Sequence, residues 1–298
     1  MGTDAHVIIT DGGVAELDHA QARIEELESR WSRFRDDSEL NALNRADGNP
    51  AVVSRDTALL VEHCVRAWRR TGGAFDPTVF DAMVANGYDR DFAEVASGSA
   101  TPTSRANDVA MSAPGLDGTV VDVEHGFVWL RRGVHLDPGA IGKGLAADVV
   151  CGELIAAGVA GACVNLGGDL RCDGRAPDGG RWSISIDHPI ITERELVRIG
   201  LHGGGVATSS RLRRVWQRGA DRVHHVVDPR TGRPFAGPTA GVTVIAPTAW
   251  QAEVWATRAL LADDPLEGAV EHSVIAIDEA GGVRATPDLE GVLACSAA

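Results

Sequence analysis

Residues 136–148 read LDPGAIGKGLAAD, with Gly139, Gly142 and Gly144 set around Lys143. Glycines let a backbone approach a ligand closely, and a helix that starts here offers its first amides to an anion. Lys143 adds one positive charge, and carbonyls in the turn can reach a hard cation. The stretch is not a P-loop. That loop needs G-x-x-x-x-G-K-[ST], but Gly144 follows Lys143 and no glycine stands five residues before Gly142. The G-x-G-x-x-G spacing of a Rossmann unit is absent too, and the segment lies mid-chain. A dinucleotide or phosphate ligand suits the stretch better than ATP. The same residues also suit an ordinary glycine-rich turn that packs a helix on a sheet, and the stretch alone leaves both readings open.

Other stretches carry chemistry of the same kind. VNLGGDLR, 164–171, ends a strand in Gly167-Gly168 before Asp169, and can wrap a flat or phosphorylated ligand or simply turn. HHVVDPRTGRP, 224–234, sets two histidines before a strand and a turn. A histidine there can act as a general base near neutral pH, or be a half-buried strand residue. VATSS, 206–210, offers a row of hydroxyls. AEVWAT places Glu253 and Thr257 four residues apart on one helix face. That pair can share a hard cation, or form a solvated face.

The elements that must position these residues follow from pattern. HVIIT, 6–10, is a short strand, and 13–34 is a helix with Leu17, Ala20, Ile24, Leu27 and Trp31 on one side. Residues 54–73 form a second helix, with Ser54 as N-cap and Gly72 as stop. Residues 91–117 are small, polar and turn-rich, and read as a surface excursion. Residues 118–137 form a hairpin about the turn EHG, and a helix follows the glycine stretch to about Ala157. Short strands then succeed one another at GACVNLGGDLRCDG, RWSISIDHP, LVRIGLHGGGVATSS, VHHVVDP and AGVTVIAP. A helix capped by Thr248 runs through TAWQAEVWATRALLAD, and SVIAID and GVLACS close the chain as strands. Helices interrupt the strands irregularly, which predicts an α+β fold rather than a βαβ array. No internal repeat or low-complexity linker divides the chain, so residues 1–298 are read as a single domain.

Composition narrows the function. The formal net charge is −14, which disfavours nucleic acid and anionic membranes as partners. A pyrophosphate ligand would then need a locally positive or metal-neutralised site. No run of about 18 apolar residues predicts a membrane span. The opening MGTDAHVIIT lacks a basic, then apolar, signal segment. Cys64, Cys151, Cys163, Cys172 and Cys295 form no C-x-x-C pair, and this odd, scattered set fits small buried residues in a reducing compartment.

Taken together, these stretches resemble the FAD:protein FMN transferase family, also called ApbE. MGTDAHVII is similar to the family's opening strand. RFRDDSELNALNR, 33–45, resembles its S-x-[YF]-x-x-x-S-E-[LI]-x-x-[LF]-N segment, and GGAFDPTV, 72–79, its G-x-F-D-P-T motif. LDPGAIGKGLAAD resembles D-L-G-G-I-A-K-G-x-A-x-D, and VNLGGDL, HHVVDPRTGRP and VTVIAPTAWQAEVWAT follow in the family's order. The resemblance covers nearly the whole chain. It implies an ApbE-like, T-fold-related α+β domain of mixed, largely antiparallel sheet with packed helices.

The resemblance also implies a reaction. FAD binds with Mg2+ at its pyrophosphate, a Ser or Thr hydroxyl of an acceptor protein attacks the FMN phosphorus, and AMP leaves. By matching of motifs, His225 would be the base. Ala140 would give a backbone carbonyl to the metal, with Glu253 and Thr257 as its other ligands. Phe34 would lie against the flavin ring, and Asp76, Lys143, Asn165, Gly168 and Asp228 would line the FAD site. Three departures stand out: Glu253 replaces the usual Asp, Pro138 an aliphatic residue, and Gly142 a small Ala. Magnesium tolerates distorted geometry badly, so the extra methylene of Glu253 bears directly on metal affinity. Many members of this family are exported lipoproteins; this chain opens at the first motif with no export signal, and a cytoplasmic location is expected. Two other readings share the site. With water in place of the acceptor the protein is an FAD pyrophosphatase giving FMN and AMP. With Glu253 unable to support catalysis it is a flavin-binding protein.

Overall fold

The computed structural model describes residues 3–97, 111–191, 193–218, 221–269 and 271–289. In chain order the elements are β1 (Ala5–Thr10), α1 (Val14–Trp31), α2 (Glu39–Arg45), β2 (Ala51–Val52), α3 (Arg55–Arg70), α4 (Phe80–Ala85), α5 (Phe92–Ala96), β3 (Val120–Asp122), β4 (Phe127–Trp129) and α6 (Gly142–Ala156). Then come β5 (Gly161–Leu166), β6 (Asp169–Gly174), β7 (Trp182–Asp187), β8 (Glu195–Leu201), β9 (Gly204–Ser210), β10 (Val215–Arg218), β11 (Asp221–His224), β12 (Val227–Asp228) and β13 (Arg233–Pro234). The chain continues through β14 (Thr239–Ala246), α7 (Ala249–Leu260), α8 (Pro265–Gly268), β15 (Ser273–Asp278) and β16 (Val283–Ala285). The expected closing strand GVLACS lies outside the described residues, as does much of the expected excursion at 91–117.

Two compact units emerge. One contains, of the described residues, those within 3–25, 141–212 and 237–289, and holds a seven-stranded sheet in the order β1-β5-β6-β9-β14-β15-β16. Every neighbouring pair in it is antiparallel, in keeping with the α+β expectation. β14 is buried at nearly every position, which requires cover on both faces. On one face α6 packs on β5 and β6, and α7 on β9 and β14. On the other lies the β7–β8 ribbon. Its strand WSISID alternates with period two, and Trp182, Ile184 and Ile186 join Cys163, Leu170, Cys172, Val206 and Ile275 in one apolar cluster.

Two glycines set how closely α7 approaches its neighbours. A Cβ on Gly205 of β9 would lie 2.3 Å from the Ala249 amide nitrogen, and one on Gly144 of α6 would lie 2.5 Å from the Ala249 carbonyl oxygen. Only glycine permits these backbone contacts.

The other unit contains, of the described residues, those within 26–140 and 213–236. It holds a three-stranded sheet, β2-β4-β3, and two ribbons, β10-β11 and β12-β13. Ser54 caps α3 as expected, its Oγ accepting from the Thr57 amide, and Gly72 follows the helix at φ +61°. A second apolar cluster gathers Met83, Tyr88, Trp216, Val223 and Val227, with Phe34 and Phe92 against it.

Three local expectations change. The strand expected through VHHVVDP is broken into β11 and β12, with His225 and Val226 at the bend. The short helix α2, capped by Ser38, was not anticipated. Thr248 makes no capping bond to α7; its hydroxyl donates to Gln251 Oε1 at 2.8 Å. No helix among the described residues is long and apolar enough to cross a membrane.

Candidate active site

In the unit that holds the seven-stranded sheet, the glycine stretch opens α6 and puts Lys143 in its first turn. The Lys143 Nζ lies 2.7 Å from Asp169 Oδ2 and also meets Glu253 Oε1. The second carboxylate oxygen of Glu253 accepts from the Gly144 amide at 2.8 Å. Burial works against the charge on Lys143, but the attraction and hydrogen bonds of Asp169 and Glu253 outweigh it and hold the ammonium above its ordinary range. Burial raises Glu253 above the usual carboxylate range, the negative Asp169 adds to the rise, and the contact with Lys143 opposes it.

The start of α7 is held from α6. The Asp148 carboxylate accepts from the Ala249 amide at 2.9 Å and from the Trp250 amide at 2.8 Å. These are two of the amides that a helix leaves without internal partners, and the carboxylate also faces the positive end of the helix dipole. Burial raises Asp148 to about 6; the two amides and Arg171, 3.8 Å away, pull the other way. One turn beyond Glu253, Thr257 Oγ1 is hydrogen-bonded to Ser209 Oγ of β9 at 3.0 Å.

Asn165 and Gly168 share the turn between β5 and β6. The Asn165 Oδ1 accepts from the Gly168 amide at 2.8 Å, and Gly167 and Gly168 take φ values of +66° and +99° that favour glycine. Asp169 leaves this turn toward Lys143, so the glycine pair also aims a carboxylate.

Phe34, Asp76, Ala140, His225 and Asp228 belong to the other unit. Phe34 sits in a stack of rings and guanidinium: the Arg33 guanidinium carbon lies 4.2 Å from the Phe34 ring centre and 4.4 Å from that of Tyr88. Arg33 is tied to Asp137 at 3.1 Å, and the Tyr88 hydroxyl accepts from Arg214 at 3.1 Å. Asp76 is buried, which raises its carboxyl above the usual range against hydrogen bonds from Thr78 and Trp68. Those bonds make it the organiser of the D-P-T turn. In the D-P-R-T-G turn, Asp228 takes the Arg230 amide at 2.9 Å and its guanidinium at 3.0 Å; burial opposes ionisation, but Arg230 prevails and lowers the carboxyl. His225 donates its amide to the Arg214 carbonyl at 3.2 Å, at the half-buried bend between β11 and β12.

The structure therefore brings Lys143 and Glu253 together, and Asn165 with Gly168. It adds partners that sequence reasoning passed over: Asp169, Asp148, Ser209, Arg33 and Tyr88. Asp169 and Asp148 carried a signal, one directly after the glycine pair and the other closing the LDPGAIGKGLAAD stretch. Tyr88 is the chain's sole tyrosine.

The expected metal ligands are a carbonyl, a carboxylate and a hydroxyl. No group of three or more His, Cys, Asp or Glu suited to a metal occurs among the described residues, but such a group is not what the expected set requires. The state of Glu253 bears on it more directly. One oxygen meets an ammonium and the other an amide, so this carboxylate does not fit a hard divalent cation in the present geometry.

Comparison with known proteins accords with these motifs. The FAD:protein FMN transferase of Klebsiella pneumoniae (strain 342) is 31% identical over 266 residues, covering 86% of this chain and 75% of that protein. That of Haemophilus influenzae is 29% identical over 266 residues, covering 85% and 76%. Among solved structures, the ApbE protein of Thermotoga maritima MSB8 matches with a TM-score of 0.82 at 22% identity, covering 98% of this chain and 96% of that one. The flavin transferase ApbE of Vibrio cholerae matches with a TM-score of 0.79 at 23% identity, with the same coverage. At these identities the structural likeness speaks for the fold. The model of the ApbE family matches residues 1–273, and with that match the chain belongs to the ApbE family.

Proposed function

We propose that this chain moves FMN from FAD to a Ser or Thr hydroxyl of an acceptor protein and releases AMP, with residues 1–298 working as one transferase domain. The observation that carries the reading is the family match over residues 1–273, joined to 31% identity with a protein that is an FAD:protein FMN transferase. The acceptor oxygen bonds to the FMN phosphorus. The bond from that phosphorus to the bridging oxygen breaks, and the bridging oxygen leaves with AMP.

The residue roles follow from the match of motifs, and the chemistry of each residue suits its role. His225 takes the hydroxyl proton, a task suited to an imidazole near neutral pH. Lys143, kept ionised by Asp169 and Glu253, orders the start of α6 beside the FAD site. Phe34, in its stack with Arg33 and Tyr88, offers a flat apolar face to the flavin. Asn165, Gly168, Asp76 and Asp228 contribute ordered turns rather than proton transfer. A bound Mg2+ would neutralise the pyrophosphate; Ala140 and Thr257 are the remaining oxygen donors expected for it. Glu253, bound to Lys143 and to the Gly144 amide, does not fit that ion.

The test mixes purified protein with FAD and a candidate carrier bearing an acceptor Thr, with and without Mg2+. AMP together with an FMN-sized mass gain on the carrier supports transfer. AMP with free FMN and no carrier adduct, for every carrier tried, points to pyrophosphatase. Bound, intact FAD points to a flavin-binding protein.

A further inference from the structure

We propose that the Lys143 ammonium holds the place at the Glu253 carboxylate that a divalent cation would otherwise take, so that Glu253 is a helix cap and counter-ion rather than a metal ligand. Three features carry this.

The first is the use of both oxygens. Glu253 Oε1 meets Lys143 Nζ and Oε2 accepts from the Gly144 amide, and the side chain is almost fully buried. Magnesium demands near-octahedral oxygen geometry at about 2.0–2.1 Å and keeps several of its waters. A carboxylate with an ammonium on one oxygen and an amide on the other, and only 3% exposed, is closed to an ion that keeps several of its waters.

The second is charge. Lys143 is shared by Asp169 and Glu253, so one positive charge already sits between two buried carboxylates. A divalent ion on the same oxygen would lie against the ammonium and be repelled by it.

The third is reach and rigidity. Glutamate extends one methylene further than aspartate, and here that length delivers the carboxylate to the first turn of α6. The start of α7 is fixed from the other side by Asp148, which anchors the Ala249 and Trp250 amides. The helix that carries Glu253 is therefore pinned at its start, which opposes a slide that would withdraw the carboxylate from Lys143.

The inference stands apart from the transferase reading, because its test uses the metal alone. Mn2+ is titrated into the purified wild-type chain, Glu253→Gln and Lys143→Met, and the free aquo-ion is read by electron paramagnetic resonance. Wild type and E253Q are expected to give superimposable curves, since the carboxylate contributes no site. K143M, which leaves Asp169 and Glu253 without the ammonium, is expected to gain a site at least tenfold tighter than any in wild type. A binding step in wild type that E253Q removes would overturn the proposal. So would a folded K143M that gains nothing, because the ammonium would then not be what excludes the ion. Circular dichroism reports folding; if K143M does not fold, the wild-type and E253Q curves decide alone, coincidence supporting the proposal and divergence overturning it.

Discussion

Asp148 and Glu253 cap each other's helices. Asp148, on α6, takes the first two amides of α7, and Glu253, on α7, takes the Gly144 amide in the first turn of α6. Each carboxylate lies at the positive end of the helix that it does not belong to. The exchange fixes where both helices begin, and so where Lys143 and Thr257 are presented.

Removing one side of this exchange should be costly. Asp148→Ala leaves two buried amides without an acceptor, and is expected to destabilise the fold by about 2 kcal/mol in urea denaturation at pH 7. A loss below about 0.5 kcal/mol would mean that water or another group caps α7 equally well.

The same residue predicts a pH dependence. Its folded-state value is raised to about 6 from an ordinary 3.8, so between those values the native chain holds a proton that the unfolded chain has released. The stability due to this shift is fully present below about 4 and is lost as pH rises through 6, on the order of 3 kcal/mol in all. Asp148→Asn cannot titrate there. Plotted against pH, the stability of wild type minus that of the variant should fall across this window; a flat difference would remove the assignment.

Two glycines of α6 should respond oppositely to alanine. At Gly144 the new methyl would meet Ala249 oxygen at 2.5 Å and Trp250 nitrogen at 2.8 Å, backbone atoms that cannot turn aside. Gly144→Ala is expected to lower stability by about 3 kcal/mol. Gly152 meets nothing within 4 Å, and Gly152→Ala should raise stability by up to about 1 kcal/mol through helix propensity. Thermal melts of the two variants make the comparison.

The buried thiols should be inert. Burial pushes Cys163 up to about 11 and Cys151 and Cys172 up to about 12, so almost no thiolate exists at pH 8. Iodoacetamide labelling read peptide by peptide should leave these three unmodified in the native protein and modify them in denaturant. Rapid native labelling of Cys163 or Cys172 would show that the β7–β8 ribbon opens.

His225→Ala should retain FAD binding and lose transfer by roughly 10²- to 10⁴-fold, the usual contribution of a general base. Flavin fluorescence titration and carrier mass together test it, and near-normal turnover would reassign the base.

Local pattern carried much of the fold. Ser54 was legible as a cap because its partner amide is three residues away, and β7 because alternation survives in six residues. Thr248 misled for the opposite reason. It stands in the usual capping position, yet the acceptor for the α7 amides comes from Asp148, 101 residues earlier in the chain than Ala249. The break at His225 was hidden because VHHVV is β-rich throughout, and α2, at seven residues, is too short to show a helical period. At the candidate site, the spacing of Glu253 and Thr257 was readable because both lie on one helix. The pairing of Lys143 with Glu253 spans 110 residues, and only the folded sheet brings them together.

The β7–β8 ribbon has a consequence for how this sequence can change in length. Trp182, Ile184 and Ile186 all point into one apolar cluster while the residues between them face out. A strand with that parity counts in twos. Inserting one residue after Trp182 would turn Ile184 and Ile186 toward water and drive their polar neighbours inward, whereas an insertion of two would restore the facing of everything beyond it. Within this stretch, single-residue insertions and deletions should be rejected far more often than substitutions at the outward-facing Ser183 and Ser185.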